Sequence, residues 1–205
     1  ALVFWRSVFG AVVLGSLALL RGKPVLTPLW TLQVKRSLFG FFSLVGYFYA
    51  LTQLSLATAV TLNYTSAIFL ALLSLVWLRE RLTPRILLAL LLGLAGVSLL
   101  LKPAVSDGQW LAGLVGLSSG LTAACAYLQV RELSRMGEPE SRTVFFFGLG
   151  CTLLGLVASG ITGFSAWPGW QASLWLLPIG LLAAGGQLCM TRAYAQAKTA
   201  RGTLV

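Results

Sequence analysis

Between Tyr47 and Leu78 the chain carries no charged residue, and directly beyond it Arg79, Glu80, Arg81 and Arg85 arrive together. Few folds accept such a stretch. About 20 apolar residues, rising 1.5 Å each, cross the hydrocarbon layer of a bilayer. Phe48–Leu56 closes one helix of this kind and Ala57–Leu78 supplies a second, joined by a short uncharged turn. A long apolar helix ending in a basic cluster has a side: the basic end is expected in the cytoplasm.

The rest of the chain has the same character. Of its 205 residues, 58% are hydrophobic and 10% charged, whereas a soluble domain carries about 25% charged residues. The class expected is an all-α polytopic membrane protein in contact with the lipid bilayer. The net charge of +10 does not point to nucleic acid, because the charges fall between apolar spans instead of forming one face. A positive-inside bias accounts for them. Cys125, Cys151 and Cys189 all lie in apolar segments at spacings that match no metal motif or disulfide framework, and read as small packing residues. Histidine is absent, which removes the commonest metal ligand and physiological acid–base group. No cofactor is expected.

In order, the spans read as 1–20, 37–56, 57–78, 85–101, 111–130, 143–161 and 172 to about 194, with an eighth beginning at Gly202. Ser7, Ala11 and Gly15 make a small-xxx-small face, and Gly113, Gly116 and Gly120 lie on a small-residue face. Thr83–Pro84 reads as a helix start, Trp110 as an interfacial aromatic, and Pro178 as a kink. The segment 21–36, with Arg21, Lys23, Lys35 and Arg36 and no acid, reads as a cytoplasmic loop, as does 131–142; Lys198–Arg201 reads as a cytoplasmic turn. The uncharged segments 55–58 and 162–171 read as external. Arg6 inside the first span and the lack of a small-residue cleavage site argue against a signal peptide. Ala1 opens within an apolar run and Val205 follows a basic turn, so both ends are expected to be cut.

The chain also matches itself. Arg6-Ser7-Val8-Phe9 matches Arg142-Thr143-Val144-Phe145, Ala50-Leu51-Thr52-Gln53 matches Ala193-Tyr194-Ala195-Gln196, and Ala57 matches Ala200. The loops these matches bring into register differ in charge: 56–58 has none where 198–201 has two, and 21–36 has four basic residues where 162–171 has none. Matched segments with opposite loop charge imply repeats inserted in opposite orientation, an arrangement of many secondary transporters, whose binding sites lie near mid-membrane.

An apolar helix with small and hydroxyl residues, then Trp77-Leu78-Arg79-Glu80-Arg81-Leu82, then a helix opened by Pro84, resembles the first repeat of the EamA family of the drug/metabolite transporter superfamily. The resemblance covers nearly the whole chain. It implies ten helices in two inverted five-helix halves, of which about seven are present. Residues 1–101 would be most of the first repeat (helices 2–5), and 102–205 part of the second (helices 6–8 and the start of 9).

The acids Glu80, Asp107, Glu132, Glu138 and Glu140 all read as loop or helix-end residues. With no carboxylate inside a span, the usual mark of proton or sodium coupling is missing. With no histidine or buried acid to serve as base, an enzyme is not expected. The densest polar patch in any span is Thr61, Asn63, Tyr64, Thr65 and Ser66. An amide in hydrocarbon needs a partner, so Asn63 either binds substrate or bonds a neighbouring helix. Thr and Ser can bond their own helix carbonyls. Tyr47, Tyr127 and Gln187 lie in other spans and could line the same cavity. Arg6 either faces that cavity and attracts a carboxylate, or snorkels to the interface. The substrate-binding candidates are therefore Asn63, Arg6, Tyr64, Tyr47, Thr61, Tyr127 and Gln187.

The function expected is a multi-pass carrier in a bacterial inner membrane, moving a small-molecule substrate, an organic metabolite such as an amino acid, outward by alternating access. The competing reading is a membrane structural or assembly protein without transport.

Overall fold

The computed structural model describes residues 27–77, 84–101, 109–162 and 169–202, together with Phe4, Trp5, Ser7, Val8, Ala11 and Val12. Every regular element among them is helical: α1 (Trp30–Gln53), α2 (Leu56–Tyr64), α3 (Ser66–Trp77), α4 (Pro84–Leu101), α5 (Trp110–Arg135), α6 (Glu140–Thr162) and α7 (Gly169–Gly202). Among the described residues four segments are long and apolar enough to cross a membrane: Leu56–Trp77, Trp110–Arg135, Glu140–Gly160 and Leu174–Tyr194. Six of the expected spans thus have helical counterparts. The span 1–20 is described at only six residues, all helical. Arg6 and the Arg79–Thr83 segment lie outside the described residues.

The chain divides into two compact units, Ala1–Leu38 with Gln129–Val205, and Phe39–Leu128. Small and polar side chains are prominent among the buried residues of the Phe39–Leu128 unit, and large aliphatic ones among the exposed residues of both. Ala50, Ala59, Ala112 and Ala124 are buried alongside Ser43, Ser74, Ser119 and Thr58, while Val76, Leu99, Leu174 and Leu182 are more than 70% exposed. Between helices in lipid there is no hydrophobic driving force, so small residues and polar groups line the contacts and large aliphatic groups face outward.

In the Phe39–Leu128 unit, a buried cluster of Ala50, Leu54, Ala59 and Ala112 receives Tyr47, Leu51 and Leu62. Ser43 Oγ donates to Ser119 O at 3.0 Å, tying α1 to α5. A Cβ on Gly116 would lie 2.8 Å from Leu62 Cδ1 and 3.4 Å from Ala50 Cβ, so α1 and α2 both approach the glycine face of α5 closely. Ser55 Oγ accepts from Thr58 N–H at 3.2 Å and caps α2. In the other unit, α6 packs on α7. Gly148 and Gly155 of α6 meet Ala11 and Phe4 of the first apolar segment, where Ser7 and Ala11 are buried. Ser37 Oγ donates to Phe146 O at 3.2 Å. The α5–α6 turn closes on Gly137, whose φ of 80° favours glycine. Glu138 N–H reaches Leu133 O at 3.0 Å and Gly137 N–H reaches Ser134 O at 3.2 Å.

Three boundaries differ from the sequence reading. The helix expected from Ser37 begins at Trp30, so Gln33, Lys35 and Arg36 belong to it and not to a loop. Arg36 can lie there because its charge has partners, described below. The expected turn Lys198–Arg201 is helical within α7. Ala193–Arg201 is rich in Ala, Gln, Lys and Arg, all good helix formers, and holds no breaker. Third, the single crossing expected at 57–78 is two helices, α2 and α3, meeting at Thr65.

Candidate functional site

The break at Thr65 has a local cause. Thr65 Oγ1 donates to Leu62 O at 2.5 Å, and its own N–H bonds the same carbonyl at 3.2 Å. This hydroxyl competes with the helix ladder for a carbonyl, as Ser and Thr side chains can. Ile68 N–H, which an unbroken helix would direct to Tyr64 O, goes to Thr65 O instead at 3.0 Å, together with Phe69 N–H at 3.0 Å. The ladder is thus interrupted beside Asn63 and Tyr64. Gly120 of α5 faces the interruption: a Cβ there would lie 2.8 Å from Thr65 Oγ1, 3.0 Å from Leu62 O and 3.5 Å from Ser66 N.

The expected site residues fall around this feature unequally. Thr61 is buried and its hydroxyl bonds Ala57 O at 2.8 Å, satisfied on its own helix. Asn63 is half-buried, and its side-chain amide has no hydrogen-bond partner among the described residues. Tyr64 is exposed. Tyr47 packs against the Ala50 cluster. Tyr127 is half-buried on α5. Tyr47, Thr61, Asn63, Tyr64 and Tyr127 all belong to the Phe39–Leu128 unit. Arg6 is not among the described residues.

Gln187 belongs to the other unit, and its partner is one that the sequence reading assigned to a loop. Arg36 Nη2 donates to Gln187 Oε1 at 2.8 Å, and the guanidinium lies 4.0 Å from the centre of the Phe147 ring. Arg36 is only 2% exposed. One turn earlier, Gln33 is 1% exposed and its Nε2 donates to Glu138 Oε1 at 3.3 Å. Glu138 in turn accepts from Arg142 Nη1 at 3.3 Å. The sequence did contain a signal: Gln33, Arg36 and Ser37 share the i, i+3, i+4 spacing of one helix face.

Residues 1–102 match the EamA-like transporter family. The chain is 30% identical over 195 residues to the pseudopaline exporter CntI of Pseudomonas aeruginosa, covering 94% of this chain and 67% of that one. It is 30% identical over 168 residues to an uncharacterized transporter of Helicobacter pylori, covering 79% and 56%. A solved crystal structure superposes with a TM-score of 0.71 at 25% identity, over 93% of this chain and 69% of that one. The chain therefore spans between about half and two thirds of the length of these curated relatives.

Proposed function

The chain belongs to the EamA-like transporter family, and on that premise we propose that the protein is a carrier of small organic metabolites, working outward by alternating access. The observation that carries this reading is the interrupted crossing at Thr65. Irregular backbone at membrane depth is tolerated where it is buried in protein or lines a polar cavity, and secondary transporters use discontinuous helices to present backbone groups to substrate. Asn63, with its amide uncommitted, Tyr64, Tyr47 and Tyr127 are read as substrate contacts, with Thr61 shaping the wall behind them. Arg6 and Gln187 are read as further substrate contacts.

Outward direction is supported by the exporter name of the Pseudomonas aeruginosa relative. Residues 1–101 and 102–205 are read as parts of two inverted repeats, and the location as a bacterial inner membrane. The substrate would pass without covalent change.

Counterflow of radiolabelled amino acids and small metabolites in proteoliposomes holding the full gene product tests this. Saturable counterflow is expected, reduced at least fivefold in Asn63→Ala with insertion intact. Full counterflow in Asn63→Ala and in Arg6→Ala would remove the site assignment. No counterflow of any solute by correctly inserted protein would favour a structural or assembly role.

A further inference from the structure

Arg36 decides which way the side-chain amide of Gln187 points. A guanidinium carries only N–H donors and no acceptor, so the atom it holds at 2.8 Å is the amide oxygen, Oε1. The other end of the amide, Nε2, is turned away from the cation. It has no hydrogen-bond partner among the described residues, and it is not one of the buried polar atoms left without a partner. Gln187 itself is half-buried. Thr191, one turn further along α7 and buried, commits its hydroxyl to Gln187 O at 2.8 Å and makes no claim on the side chain. The guanidinium is not free to turn elsewhere: it is 2% exposed and lies 4.0 Å from the centre of the Phe147 ring on α6. Glu138 of the α5–α6 turn is held by Gln33 and paired with Arg142, so what stands directly behind the Gln187 amide is a cation. The result is a set of N–H donors backed by positive charge, inside a segment long and apolar enough to cross a membrane.

We infer that Gln187 Nε2 donates to a carboxylate of the solute, and that Arg36 is the positioning residue that turns this donor end toward it. The inference rests on the reading of Gln187 as a substrate contact. An amide able to flip serves donors and acceptors alike, whereas one held by a guanidinium serves acceptors only. Among acceptors a carboxylate gains twice. A hydrogen bond to a charged group is stronger than one to a neutral group, and Arg36 stands one amide away in surroundings of low dielectric, where its charge is felt more than in water. A substrate ammonium would meet only N–H donors with a cation behind them. Ionisable groups inside membrane segments commonly mark the path of a substrate; here the ionisable group acts through the amide in front of it.

The test uses the full-length protein in nanodiscs, with empty nanodiscs as baseline, and saturation-transfer NMR titration of acid–amide pairs: benzoate and benzamide, nicotinate and nicotinamide, hexanoate and hexanamide. Within a pair the skeleton is shared, and the group offered to Gln187 changes from charged to neutral. In wild type at least one carboxylate is expected to bind saturably and about tenfold more tightly than its amide, the worth of one hydrogen bond to a charged group. Gln187→Glu keeps an acceptor for Arg36 and replaces the donors by a carboxylate, so it should stay folded and lose that preference. Arg36→Met lets the amide rotate and should lose most of it; Arg36→Lys, which restores a cationic donor, should recover part. A wild type that prefers no carboxylate in any pair overturns the inference. So does a folded Gln187→Glu that keeps the preference, which would mark the amide as a contact between helices. Full preference in a folded Arg36→Met would overturn the positioning role. Binding is measured without transport, so counterflow can fail while the preference holds, and the reverse.

Discussion

Arg36 is a guanidinium held almost wholly out of solvent, and what makes its burial tolerable is local. Phe147 offers a ring face at 4.0 Å and Gln187 an amide oxygen at 2.8 Å. A hydrogen bond to a charged group contributes about 1.5–3 kcal/mol, more than a neutral one. Gln187→Leu keeps the side-chain size, removes the acceptor and leaves one guanidinium nitrogen without this bond. Its thermal midpoint in detergent, followed by fluorescence-detected size exclusion, is expected to fall by roughly 5 °C, since 1 kcal/mol corresponds to about 2–4 °C in a chain of this size. Gln187→Glu, which supplies a charged acceptor at the same place, should hold the wild-type midpoint or exceed it. An unchanged midpoint in Gln187→Leu would mean that Arg36 does not lean on this amide.

At the scale of elements, the contact between α5 and the α2–α3 break governs how close these helices can come. Gly120 has no room for a methyl group: its Cβ would crowd Leu62 O at 3.0 Å and Thr65 Oγ1 at 2.8 Å, and the first of these is backbone that cannot swing aside. Gly120→Ala should therefore destabilise the protein by about 1–3 kcal/mol. Among the described residues, Gly93 and Gly96 on α4 have nothing within 4 Å of the same construction. Gly93→Ala should be neutral or stabilising by up to about 1 kcal/mol, from helix propensity alone. The pair of midpoints separates a packing glycine from an idle one; a Gly120→Ala midpoint equal to that of Gly93→Ala would deny the close contact. The glycine faces were legible in sequence as spacings: Gly116, Gly120 and Ala11 do face other helices, and Ser7 is buried. Which glycines were idle was not legible, because Gly93 carries the same small side chain and differs only in its neighbours. The break was half legible. Asn63-Tyr64-Thr65-Ser66 announced polarity in a span, but only the geometry shows Thr65 taking its own helix carbonyl.

For the whole molecule, hydropathy sufficed for the helical class, since each span's apolarity is a local property that needs no partner. The Arg36–Gln187 bond joins residues 151 positions apart, and no local pattern could pair them; charge alone placed Arg36 in a loop. The same reliance on charge bears on the inverted-repeat reading. The match of Ala50–Gln53 with Ala193–Gln196 compares loop charges after each copy, yet the first copy ends at a turn at Leu54–Ser55 while the second continues as helix to Gly202. Opposite orientation therefore has to be read from the two aligned positions themselves. In a chain cleared of Cys125, Cys151 and Cys189, Gln53→Cys should react with a membrane-impermeant maleimide in intact cells. Gln196→Cys should react only after permeabilisation. Met136→Cys, at an exposed position in the α5–α6 turn, should follow Gln196, because the positive-inside bias puts that turn in the cytoplasm. Labelling of Gln53 and Gln196 from the same side would make the two segments parallel copies. The charge asymmetry of their loops would then need another cause, and the symmetry expected to place a binding site between the repeats would be lost.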